Sequence, residues 1–208
     1  MTTSERPHYH HGSLRQALLQ RVAEVVADSG AHAVTFRGLA SDLGVSHTAP
    51  AHHFGNRTGL LTAFATEGFE LLSAELETAP REDFVALGVA YVRFALSHPG
   101  HFSVMFDNSQ LDLDDPHYHR AAAAAMAMLR AGVEQFDDSQ GRADAAALTA
   151  AAWGMMHGIA TLALAGALDA SGVRAMVEDG DILATVDEVG YVLTDISAGL
   201  GREALEEL

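Results

Sequence analysis

Residues 36–65 read FRGLASDLGVSHTAPAHHFGNRTGLLTAFA. Two short helical segments lie in this stretch, Phe36–Leu43 and His47–Phe54, joined by Gly44-Val45-Ser46. Thr35 caps the first, Gly44 stands just past its end, and Ser46 caps the second. Three or four turn residues with a glycine between two short helices make a helix-turn-helix arrangement. In it Ala40 faces the turn, where a larger side chain would push the helices apart. Leu39, Leu43 and Val45 pack inward, and His47, Thr48, Ala49 and His52 point outward. The N-terminal part of the second helix of such a unit enters the major groove of DNA. The plainer alternative is a turn between two core helices. Pro50 falls at the fourth helical position after Ser46, where its missing N–H removes the first intrahelical bond and its ring crowds the Ser46 carbonyl. That predicts a tight or irregular start to the second helix, or one that begins later.

Outward from this stretch the pattern stays helical. Ser13 opens a first helix, with Gln16 completing a capping box; Leu14, Leu18, Val22, Val25 and Val26 share a face, and Gly30 stops it. Asn56 caps a fourth helix striped by Leu60, Leu61, Phe64, Leu71 and Leu72, with Pro80 beyond its end. Further helices are expected over 82–97, 99–107, 116–137, 143–168 and 181–200, with a loop over 169–180. Pro99 and Pro116 sit in first turns, where a missing N–H costs little. Strand-like alternation, internal repeats and low-complexity linkers are absent. The expected fold is all-α, about nine helices. A three-helix DNA-binding domain spans 1–56, helix four (57–78) connects, and residues 79–208 form a helical effector-binding and dimerisation domain.

Composition narrows the function. The chain has no cysteine, so disulfides and thiolate metal sites are impossible, which fits a reducing cytoplasm. The N-terminus is polar and its first apolar run is broken by Arg21 and Glu24, unlike a signal peptide. Residues 145–168 carry no charged side chain and are long enough to cross a membrane. Alanine and glycine insert weakly, His157 sits centrally and no basic cluster flanks the stretch, so a buried helix is the better reading, and no membrane partner is expected. The net charge of −16 is unevenly placed: residues 1–60 hold five arginines and four acids, while 61–208 hold seven arginines and 24 acids. Seven of the 12 histidines lie in the first 60 residues. A near-neutral, protonatable head thus precedes an acidic body. No nucleophile elbow, zinc-protease motif, phosphate loop or paired-carboxylate signature is present, so an enzyme is not expected. His8, His10, His11, His98, His101, His117 and His119 are closely spaced, but no carboxylate or cysteine set completes a metal site; neither metal nor cofactor is expected.

The body offers two constellations. Ile182, Val186, Val189, Leu193, Ile196 and Leu200 repeat at alternating spacings of four and three, an a/d seam. Gly154 and Gly158 on the preceding helix permit close approach of another helix. The two helices read as half of a four-helix dimer interface, or alternatively as closing the monomer core. A helix-turn-helix reader of a palindromic site works as a two-fold pair, which favours the dimer. The second constellation is Tyr91, Phe94, Phe102, Met105, Phe106, Met126, Trp153, Met156 and His157. Such a stripe is either core or the wall of a cavity, which methionines can re-pack around varied apolar ligands.

The stretch opening at Phe36 resembles the DNA-binding domain of the tetracycline-repressor (TetR) family of transcriptional regulators, as does HYHHGSLRQALL at 8–19. WGMMHG at 153–158 resembles the Trp-to-His-Gly signature of one ligand-domain subgroup, and Pro50 fits that subgroup too. The resemblance implies that Arg37 reaches the groove, that His47, Thr48 and Ala49 face bases, and that Thr35, Ser46, His53 and Arg57 contact phosphates. Ala51 stands where the family usually has a tyrosine on the DNA backbone; His52 can substitute as a donor when protonated. The implied function is a ligand-responsive regulator, a homodimeric repressor released from a palindromic operator by a small, largely apolar effector. The alternative is a helix-turn-helix scaffold acting through protein contacts.

Imidazoles near phosphate gain a proton more easily. Operator affinity is therefore expected to rise as pH falls through about 6.5, the value for free imidazole; equal gel-shift affinities at about pH 6 and about pH 8, at fixed salt, would contradict this.

Overall fold

A computed structural model describes residues 11–80, 83–136 and 145–170. Among them are nine α-helices, two 3-10 turns and no strand. The helices are α1 (His11–Ser29), α2 (Phe36–Asp42), α3 (Ala49–Phe54), α4 (Arg57–Leu76), α5 (Phe84–Ser97), α6 (Pro99–Met105), α7 (Pro116–Phe136), α8 (Ala145–Leu164) and α9 (Ala167–Ala170). They form two compact units. One holds residues 1–68 with 100–118, the other 69–99 with 119–208. This departs from the sequential division at 56 and 79: the α6 segment packs with the N-terminal helices although it lies far along the chain. The segment 181–200, with its seam from Ile182 to Leu200, lies outside the described residues.

The first unit is built around α1. Leu18, Leu19, Val22 and Val26 are buried on it, and Gly30 closes the helix by donating to the Val26 carbonyl. α1 is already helical at His11, so Ser13 lies inside the helix and is not its cap. Leu39, Ala40, Pro50 and Phe54 complete the head's core. Thr35 caps α2 as expected, its hydroxyl accepting from Gly38 N at 3.1 Å. Gly44 has φ 63 in the turn, a conformation that residues with a Cβ rarely adopt. On the exposed side Arg21 pairs with Asp42 at 2.8 Å and Glu24 at 2.6 Å, tying α1 to α2. The Arg15 guanidinium lies 5.4 Å from the centre of the Phe54 ring.

The second helix of the motif begins at Ala49, not at His47. Ser46 and Thr48 form a turn in which Ala49 N donates to the Ser46 carbonyl at 2.9 Å. Pro50 therefore occupies the second helical position, where its missing N–H removes no bond. α6 packs on the same unit. The His101 ring stacks on Phe64 with centroids 4.0 Å apart, and its Nε2 lies 3.2 Å from Glu67 Oε2. Gln16 of α1 donates to the other Glu67 oxygen at 2.8 Å. These bonds, His101's first, hold the Glu67 carboxyl below its usual range. The segment after α6 is tied down by Asp112 N donating to Thr62 Oγ1 at 2.8 Å.

The second unit is apolar. α5 and α8 pack together, burying Leu87, Ala90, Tyr91, Phe94, Ala152, Met156 and Ala160, with Leu72 and Leu76 from the end of α4 and Val133 from α7. Asp83 caps α5, accepting from Ala86 N at 2.9 Å. The expected helix over 143–168 breaks at Ala165-Gly166, where Gly166 takes φ 66. Among the described residues no helix is long and apolar enough to cross a membrane.

Gly59 is a close-approach position. A Cβ there would lie 2.2 Å from the Phe54 carbonyl oxygen, where α3 turns into α4. Gly59→Ala is expected to destabilise the first unit by about 1–3 kcal/mol, the usual cost of overpacking. Chemical denaturation of the variant beside the parent protein measures it.

Candidate nucleic-acid interface and ligand cavity

In the first unit the motif's outer residues fall into two classes. Arg37, His47 and His52 are exposed and, among the described residues, make no hydrogen bond or ion pair. Thr35, Ser46 and Thr48 are exposed too, but their hydroxyls are already engaged: Thr35 caps α2, Ser46 Oγ accepts from Thr48 N at 3.4 Å, and the Ser46 and Thr48 hydroxyls bond to each other at 3.0 Å. Ala49 and His53 are half-buried, the His53 ring tilted 6.1 Å from Phe54. Ala51 is exposed and offers only a methyl group where a tyrosine would reach outward.

Arg57 departs from its expected role. It is half-buried, and its guanidinium donates to the Ala31 carbonyl at 2.7 Å, the Val34 carbonyl at 3.2 Å and Gln110 Oε1 at 2.8 Å. Gln110 in turn donates to Asp107, whose carboxyl is held low by Ser109 and Gln110 bonds and, more weakly, by the Arg57 charge. Arg57 is thus a staple between the α1–α2 connection, the start of α4 and the turn after α6. The family resemblance implied a phosphate contact from its position at the start of helix four; its carbonyl partners come from residues 23 and 26 positions away.

In the second unit an apolar cavity opens between α5, α7 and α8. It is lined by Phe84, Val85, Leu87, Gly88 and Tyr91 of α5, Leu129 and Val133 of α7, and Thr149, Ala152, Trp153, Met155 and Met156 of α8. Of the expected pocket residues, Tyr91, Trp153 and Met156 line it. His157 stands next to it, its Nδ1 3.0 Å from the Tyr91 hydroxyl, which also accepts from Trp153 Nε1 at 3.2 Å. Phe94 is buried and does not line it, nor does Met126. Phe102, Met105 and Phe106 belong to the other unit: Phe102 and Phe106 pack edge to face at 5.6 Å, and Met105 fills the space left by Gly68. The lining residues not expected, such as Leu87, Gly88, Val133 and Thr149, follow helical spacing of three or four along each helix. Facing stripes on three helices were the signal that could have found them.

Burial raises the Tyr91 hydroxyl's pKa, the Trp153 bond opposing it, so Tyr91 stays a neutral phenol. Burial likewise lowers the His157 imidazole below its ordinary 6.5. The cavity's polar corner is therefore uncharged at neutral pH. Among the described residues no Asp, Glu, Lys or Arg lines the cavity, and no group of three or more potential metal ligands is gathered anywhere.

Residues 84–180 match the family model of the tetracyclin repressor-like C-terminal domain. A solved protein of unknown function from Rhodococcus sp. RHA1 is 33% identical, with a TM-score of 0.70 over 89% of this chain and 96% of that one. The two belong to one family. A TetR-family transcriptional regulator from Streptomyces coelicolor is similar at 15% identity and TM-score 0.67, covering 92% of this chain and 85% of that one. The TetR-family transcriptional regulator PfmR from Thermus thermophilus is similar at 21% identity and TM-score 0.56, covering 69% and 84%. At those identities the likeness is one of fold. No curated protein matches the sequence. The cavity lies within the residues that match this family model, whereas α1–α3 precede them.

Because the folded His157 pKa lies below 6.5, the unfolded chain binds a proton first as pH falls. His157's contribution leaves stability intact above 6.5 and diminishes it as pH drops from there toward the folded value. Melting temperatures on either side of this window, for the parent and His157→Asn, should show a smaller acid loss in the variant.

Proposed function

We propose that the chain is a ligand-responsive transcription regulator that binds operator DNA as a homodimer and releases it when a small apolar effector enters the cavity of the tetracyclin repressor-like domain. One observation carries the reading. The helix-turn-helix displays the side chains of Arg37, His47 and His52 to solvent without partners among the described residues, while Leu39, Ala40, Pro50 and Phe54 turn inward. A turn between two core helices would not leave that cation and those imidazoles outward. Arg37 is the groove or phosphate contact; His47 and Thr48 precede the recognition helix and Ala49 opens it, all three facing bases, while Thr35, Ser46, His52 and His53 lie toward the phosphates. With few arginines available to phosphates, the salt dependence is shallow.

Dimerisation is supported by α8. Gly154 is exposed, Gly158 half-buried, and a Cβ on either would meet nothing within 4 Å. Leu162 and Leu164 near the end of α8 are also exposed large apolar side chains. That surface suits a second copy of the chain. In a two-fold dimer the recognition helices enter successive major grooves about 34 Å apart. An effector that binds one state better shifts operator affinity by its differential binding free energy, typically about 1–3 kcal/mol.

A gel shift against the DNA flanking the chain's own gene tests the reading. Arg37→Ala is expected to weaken binding at unchanged stability by about 1–3 kcal/mol, the range for a specific side-chain contact to DNA. Arg57→Ala is expected to lower the melting temperature, costing about 2 kcal/mol through its lost charged hydrogen bonds. Specific binding that is indifferent to Arg37→Ala, or no binding at all, would favour the protein-contact scaffold.

A further inference from the structure

Two cavities in the second unit share one wall. The inner one, beside Trp153 and Tyr91, has a volume of about 30 Å³, room for one or two waters and no organic ligand. The outer one, about 220 Å³, lies between Leu76 at the end of α4, Leu87 of α5, and Met128, Ala131 and Gly132 of α7. Leu87 lines both. Its position depends on Gly132: a Cβ there would lie 2.2 Å from Leu87 Cδ1, so the leucine methyl occupies space that only glycine leaves open.

We infer that the two cavities are the halves of one chamber for an uncharged, elongated apolar molecule, with the Leu87 side chain as the partition between them. The inference rests on the effector-cavity reading above and adds the ligand's shape, its charge class and its route. Leucine moves between staggered rotamers, and turning Leu87 away from Gly132 joins the outer groove to the inner cavity end to end. A chamber made that way is long and narrow, suited to a chain rather than a globular ligand. Met128 on the outer side and Met155 and Met156 on the inner side supply walls that re-pack around such a chain.

The charge class follows from the lining. No ionic side chain among the described residues lines either cavity. The polar corner is internally satisfied, Trp153 donating to Tyr91 and Tyr91 bonded to His157. A carboxylate or ammonium group would be buried there without a counter-charge, which costs far more than burying a hydroxyl.

Trp153 is the chain's one tryptophan, so intrinsic fluorescence reports on the inner cavity alone. The test titrates the full chain, without DNA, with decan-1-ol, decanoate and decylammonium. Saturable quenching or a spectral shift is expected with decan-1-ol, and at least about tenfold weaker binding with the two ions, the equivalent of about 1.4 kcal/mol. Leu87→Ala removes the partition and should tighten decan-1-ol binding. Ala131→Phe fills the outer groove from an exposed helix position, so it leaves the core intact and should weaken binding about tenfold or more. If Leu87→Ala does not fold, Ala131→Phe carries the test, with circular dichroism verifying its helices. No response of Trp153 to decan-1-ol, equal binding of the ions, or unchanged affinity in Ala131→Phe would each overturn the chamber while leaving operator binding untouched. Decan-1-ol that binds as expected yet fails to release operator DNA would leave the chamber standing and count against the regulator reading.

Discussion

The guanidinium of Arg57 joins three segments of the first unit that lie far apart in the sequence. At the α1–α2 connection the Ala31 carbonyl accepts from Val34 N within a 3-10 turn and has a second lone pair to offer, and the Val34 carbonyl stands at the exit of that turn. A half-buried charged donor reaches both at once. Hydrogen bonds to a charged group contribute more than neutral ones, and a carbonyl left unsatisfied at a partly buried site costs about 1–3 kcal/mol. Through Gln110 the same group reaches the turn after α6. The α1–α2 connection, the start of α4 and the turn after α6 are thus held together by one side chain, beside the Arg21–Asp42 pair and the bonds at Glu67 and Thr62.

That structural use of arginine decides what the head can offer to DNA. A chain with net charge −16 has few cations, and most of those described in the head are engaged. Arg21 pairs with Asp42 and Glu24, Arg15 lies over Phe54, and Arg57 holds carbonyls. Arg37 is the cation left outward among the described residues of the head, accompanied by the partnerless imidazoles of His47 and His52.

The second unit is governed by packing rather than charge. Small residues on α7 and α8 bring helices close, and the large side chains of α5 fill most of what remains. The unfilled remainder is the cavity. Its polar corner is built from three side chains whose bonds are satisfied within the protein, which keeps the interior stable without ligand and makes its chemistry neutral.

Local features were legible in the sequence because their causes are local. Helical periodicity, the Thr35 and Asn56 caps, Gly44 in the turn and Pro50's demand for an early helical position all act within four residues, and together they determined the all-α fold and the helix-turn-helix. His47 and His52 were readable as outward for the same reason. Partner choice across long separations was not readable. Arg57 looks like a phosphate contact until the carbonyls of Ala31 and Val34 are in place, and Phe102, Met105 and Phe106 look like cavity wall until α6 packs with the first unit. Periodicity says which side of a helix is apolar, but not which other helix meets it. That choice is made by the summed fit of side chains distant in sequence, such as Leu87 against Gly132, and only the tertiary structure decides it.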